Sequence, residues 1–146
     1  MKYLKTLKNH DEDDLMSKIL FLYFAFVHGG LGTFFMIKDM TIFNSKAVIA
    51  MSNIIPIKVW GFVFLVTALC YVLAAIHDGK PKFIYMTIGG LLGSMVFGLL
   101  SMAMFELSAP QLDTTRYGII SSIDLIISMV GGIALWKLRN LKKKGI

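Results

Sequence analysis

Cysteine is almost missing from this chain. Cys70 is the only one and lies inside an apolar run, so a disulfide framework and a thiolate zinc site are both excluded within one chain. A bridge between two chains at Cys70 would have to form inside a bilayer. Charge is scarce too, at 16 % of residues. Enzyme signatures are absent: there is no H-E-x-x-H, no G-x-S-x-G, no P-loop and no dinucleotide-binding glycine pattern. Gly30 and Gly32 share only a spacing with the last of these, because they fall in mid-run with no strand before them. No polar segment is long enough to form a catalytic domain. Neither an enzyme nor a cofactor is therefore expected. Haem ligation would need a second histidine in an apolar run, but His10 and His77 lie outside such runs and leave His28 alone.

What the chain has in abundance is apolar sequence. Hydrophobic residues make up 56 % of it and the mean hydropathy is +0.70. The hydrocarbon core of a bilayer is ~30 Å thick and a helix rises ~1.5 Å per residue, so a span needs about 20 apolar residues. Four runs near that length occur, over about 19–37, 59–76, 83–104 and 117–136. The expected fold is all-α: a polytopic membrane protein with four transmembrane helices. Residues 1–18 form a polar N-terminal segment, 19–136 the transmembrane domain and 137–146 a basic tail. The segment between the first two spans has Asn44 or Ser45 as a cap, apolar Val48, Ile49, Met51 and Ile55, and Pro56 as a stop. This predicts a short helix from Lys46 to about Ile54 lying in the membrane interface. The alternative, one kinked helix from Lys46 to Ile76, would overshoot the bilayer.

The last span carries the most informative residue, Asp124. A helix starting after Asp124 would be too short to cross, so the span begins near Tyr117 and Asp124 lies roughly 10 Å inside one interface. At helical spacing Tyr117, Ser121, Asp124, Ser128, Gly131, Gly132 and Leu135 share a face, while Ile119, Ile123, Ile126, Val130 and Ile133 line the opposite one. Asp124 reads either as a proton or cation site, the default for an ionisable group in a span, or as a structural carboxyl bonded to Ser121, Ser128 or a neighbouring helix. In the first span, Phe21, Ala25, His28, Gly32 and Phe35 share a face. His28 there is either a proton carrier or a packing residue. By helix rise it lies roughly 13 Å deep, comparable with Asp124. The two side chains would meet if the first and fourth spans were neighbours, as they are in a simple four-helix ring.

Small residues mark packing faces: Gly29 and Gly32 in the first span, Gly89, Gly90, Gly93, Ser94 and Gly98 in the third, and Ser128, Gly131 and Gly132 in the fourth. The second span is the least polar. Thr67, Cys70, Tyr71 and Ala74 give it a weak face, and Trp60 stands at its mouth as an expected interfacial anchor. The acids Asp11, Glu12, Asp13 and Asp14 precede the first apolar run, where they would suit a helix N-terminus. They lack the alternation and loop glycine of a calcium site.

Basic residues set the orientation. Lys2, Lys5, Lys8 and Lys18, the turn lysines Lys80 and Lys82, and the tail's Lys137, Arg139, Lys142, Lys143 and Lys144 lie on one side, against Lys38, Lys46, Lys58 and Arg116 on the other. That excess predicts both termini in the cytoplasm of a multi-pass plasma (inner) membrane protein. The tail is expected to contact anionic lipid headgroups, and nucleic acid is not an expected partner. Three function classes fit, in this order. The first is an accessory or assembly factor that binds another membrane protein. The second is a self-associating pore former. The third is a proton- or ion-coupled transporter using Asp124 and His28. In outline (small, polytopic, basic at the C-terminus) the chain is similar to phage holins, which implies the second class. Lysine and isoleucine richness and the absence of glycosylation sequons fit a bacterial or phage origin.

Overall fold

The computed structural model describes residues 2–37, 49, 52, 53, 55–106 and 111–143, with side chains from Asp14 onward except at 106 and 111–114. Four long helices hold these residues: α1 (Lys2–Ile37), α2 (Ile57–Ile76), α3 (Lys80–Glu106) and α4 (Gln111–Lys143). Each contains a stretch long and apolar enough to cross a membrane. The expected interfacial helix falls largely outside the described residues, and no such element is seen.

The helices run past the apolar stretches that define them in sequence. α1 starts at Lys2 because nothing before Gly29 breaks it, neither glycine nor proline. The acidic run is therefore internal to α1 and does not mark a helix start. Asp14 pairs instead with Lys18, one turn on, at 2.6 Å, and with Lys82 at 3.0 Å. Pro56, at φ −50° and ψ 137°, begins α2, and its carbonyl accepts the Val59 amide at 2.8 Å. α2 ends at His77, whose amide donates to the Leu73 carbonyl at 3.0 Å. Gly79 then turns the chain in the left-handed region, φ 68°, which glycine adopts without strain. Pro81 follows in the first turn of α3, where a missing N–H leaves no helix bond unmade.

So short a turn makes α2 and α3 antiparallel neighbours. The main helix–helix packing runs α1 on α2, α2 on α3 and α3 on α4. The interior has two apolar clusters. Phe35, Ile57, Trp60, Phe64, Val96, Phe97 and Leu100 form one, toward the end where α1 finishes and α2 begins. Phe21, Phe24, Ala25, Tyr71, Ala74, Ala75, Met86 and Ile127 form the other, toward the α2–α3 turn. Trp60 departs from the expected role of interfacial anchor: it is buried in the first cluster, because its face of α2 turns toward Phe35 and Phe64. The face of α4 bearing Ile119, Ile126, Val130 and Ile133 is exposed on the outside of the bundle, where lipid tails suit it.

Candidate functional site

Between the two apolar clusters lies one polar layer. His28 comes from α1, Tyr71 from α2 and Asp124 from α4, and all three side chains are 0 % exposed. Helical periodicity turns them inward. The residues sharing the His28 face of α1, namely Phe21, Ala25, Gly32 and Phe35, are all buried, as are Thr67, Cys70, Tyr71 and Ala74 on α2. α3 supplies the floor of the layer, and it can do so only as glycine. A Cβ on Gly93 would stand 2.6 Å from Asp124 Oδ2 and 2.8 Å from His28 Nε2. All four helices thus contribute to one site, and α1 meets α4 there through side chains rather than along a backbone seam.

The hydrogen bonds fix much of the protonation. The Tyr71 hydroxyl donates to Asp124 Oδ1 at 2.5 Å, the length expected of a hydroxyl on a carboxylate. His28 Nδ1 lies 2.8 Å from the Phe24 carbonyl. A carbonyl can only accept, so Nδ1 carries a proton. In neutral His28, Nε2 then has a lone pair, and it faces Asp124 Oδ2 at 3.2 Å. These two atoms are close enough for an ion pair but are not aligned as a hydrogen bond, and among the described residues neither has another partner. With Asp124 ionised and His28 neutral, two lone pairs would oppose each other at zero exposure. One proton resolves this, either on Nε2, as imidazolium and carboxylate, or on Oδ2, as imidazole and acid. In both forms the pair is neutral as a unit. The alternative is costly: a lone charge at the middle of a span costs at least about 2.5–3.5 kcal/mol on insertion scales. The geometry thus sets a buried imidazole nitrogen and a buried carboxylate oxygen face to face.

Aromatic rings enclose the site. Phe97 lies edge-on to the His28 ring at 5.0 Å, with Tyr71 at 5.4 Å, Phe64 at 6.0 Å and Phe24 at 6.3 Å. No group of three or more His, Cys, Asp or Glu comes together among the described residues. The donor set of one carboxylate, one imidazole nitrogen and one phenol suits a proton.

The remaining sequence-selected residues fall into place around this layer. Ser121 and Ser128 do not bond Asp124. They cross to α3, with Ser121 Oγ donating to the Ser94 carbonyl at 2.8 Å and Ser128 Oγ to the Thr87 carbonyl at 3.0 Å. Gly90 lets α3 lie against the backbone of Asp124 and Ser128, Gly98 faces Ser121, and Gly131 faces Thr87 and Phe83. Gly89 faces Cys70, Gly29 faces Ala68, and Gly32 sits against Gly61 and Leu65. Gly132, with Gly30, has nothing within 4 Å of a Cβ among the described residues. Lys137, Arg139, Lys142 and Lys143 are exposed at the end of α4, and Lys144 lies outside the described residues.

Tyr71 is the member that sequence reading passes over. Its signal is faint: one phenol on a weakly polar face, about 7.5 Å inside the end of α2 by helix rise. Helical side chains lean toward the N-terminus, which in α2 carries the hydroxyl toward mid-membrane and into the His28 layer. Comparison with protein-family models, curated proteins and solved structures finds no match to the chain.

Proposed function

We propose that this chain is a non-catalytic, multi-pass membrane protein whose working part is a buried proton-binding centre, with His28 and Asp124 exchanging one proton and Tyr71 holding the carboxylate. The role that best fits is movement of protons across the membrane, or gating by them. One observation carries the reading: three polar side chains from three helices meet at zero exposure around a pair that needs one proton to be neutral. The distribution of basic residues supports both termini in the cytoplasm, and lysine and isoleucine richness supports the plasma (inner) membrane of a bacterial or phage-carrying cell. The sequence pattern from Lys46 to about Ile54, with Pro56 as its stop, supports a short helix in the interface.

The accessory or assembly reading is second. Most of the glycines that favour it pack within the single chain; Gly30 and Gly132, with nothing within 4 Å of a Cβ among the described residues, are what support contact with a partner or a second copy. A self-associated pore would use the same two positions.

Proton flux into vesicles tests the proposal. Asp124→Asn is the informative variant. Its amide can donate to His28 Nε2 and its oxygen can accept from Tyr71, so it reproduces the protonated acid with no proton to release. Wild-type protein in proteoliposomes carrying a pH-sensitive dye is expected to pass protons under an imposed potential. Asp124→Asn should keep the fold and reduce the flux at least tenfold, and Tyr71→Phe should reduce it less. A wild type that passes no protons, or an Asp124→Asn variant as active as wild type, would sink the proposal.

A further inference from the structure

Two groups stand out among the described charges at the end of the bundle that carries the α2–α3 turn. In the first, acids and bases satisfy one another. Asp14 holds Lys18 and Lys82, and Lys18 also reaches Asp78 at 3.7 Å. Lys82 donates to Ser17 at 3.0 Å as well, and its ammonium lies 5.8 Å from the Phe21 ring centroid.

The second group is made of cations alone. Lys80, the first residue of α3, and Arg139 and Lys142, in the last turns of α4, line a groove of about 400 Å³ together with Leu135 and Leu138. Three like charges lining one groove favour an anion among them, most strongly at low salt. The C-terminal end of α4 offsets only part of that positive charge through its dipole. The two leucines make the groove apolar beneath the charges. An anion alone would leave them wet, whereas an anion attached to a hydrocarbon chain would cover them.

We infer that this groove binds one anionic phospholipid. Its phosphate sits between Lys80, Arg139 and Lys142, and the start of an acyl chain lies on Leu135 and Leu138. Arg139 supplies the planar fork that matches a phosphate, and the two lysines act as point charges. This is more specific than the attraction of a basic tail to a charged membrane surface. Such attraction follows the number of basic residues and is indifferent to which helix carries them. The groove needs Lys80, which stands on a different helix from Arg139 and Lys142, and it makes no use of Lys137 or Lys143. The inference is independent of the proton site, which lies deep in the bundle.

Native mass spectrometry of the full-length protein in neutral detergent tests it, with phosphatidylglycerol, phosphatidylcholine and inorganic phosphate as probes. One phosphatidylglycerol should be retained per chain. Phosphatidylcholine should bind at least tenfold more weakly, and phosphate ion should not displace the lipid at equal concentration. Lys80→Gln and the double variant Arg139→Gln/Lys142→Gln should each weaken phosphatidylglycerol binding at least fivefold. Lys137→Gln/Lys143→Gln removes the same charge as that double variant and should change binding less than twofold. Equal weakening by the two double variants, a Lys80→Gln variant that binds as wild type, or displacement by free phosphate would overturn the inference.

Discussion

At Gly93 the room for a single methyl group decides whether the polar layer can close. A Cβ there would come within 2.6 Å of Asp124 Oδ2, 2.8 Å of Asp124 Cγ and 2.8 Å of His28 Nε2. Both side chains are fully buried, so neither can swing out to make room. Gly93→Ala is expected to cost about 1–3 kcal/mol through overpacking and to push His28 away from Asp124. Gly30→Ala and Gly132→Ala, where nothing among the described residues lies within 4 Å of a Cβ, should stay within about 0.5 kcal/mol of wild type. Unfolding in mixed micelles measures all three, and equal costs would show that Gly93 has no special place. Residue-scale reasoning reaches part of this from sequence. Length alone forces Asp124 into the membrane, and periodicity turns both Asp124 and His28 inward. Which atoms meet is not legible, because that depends on how α1, α3 and α4 stack. Gly93 reads in sequence as one packing glycine among several, and only the assembled layer distinguishes it.

Among the elements, α3 and α4 form the most extensive pair, and polar groups contribute to their seam. Ser121 and Ser128 each donate to a carbonyl of α3, while Gly90 lets the two backbones close up. Between helices in a bilayer such bonds contribute about 0.6 kcal/mol on average and rarely more than about 1.7. Ser128→Ala and Ser121→Ala should therefore each cost about that much in the same unfolding measurement. The loss should be additive within about 0.5 kcal/mol, since the bonds lie two turns apart. A loss above about 3 kcal/mol at either serine would mean that it supports Asp124 directly. Sequence puts both serines on the Asp124 face and suggests a bond to Asp124 as one option. In the structure they bond carbonyls of α3 instead, and the carboxylate takes its hydrogen bond from Tyr71. Helix ends are the other point of difference. The apolar runs show where a membrane would be, but the hydrogen-bonded helices continue into polar sequence, since water does not end a helix that has no breaker.

For the whole molecule, four helices place two apolar clusters on either side of one buried polar layer. Such a layer is best tolerated in lipid when its charges cancel, and the proposed proton centre meets that condition with a single proton shared by His28 and Asp124. The most direct test is nitrogen NMR of His28 in lipid bilayers, assigned by its loss in His28→Gln and followed as pH is varied. One shared proton requires Nδ1 to stay protonated, bonded to the Phe24 carbonyl, at every pH where the fold persists, with Nε2 reporting a strong partner that disappears in Asp124→Ala. An unprotonated Nδ1 beside an Nε2–H indifferent to Asp124 would contradict it.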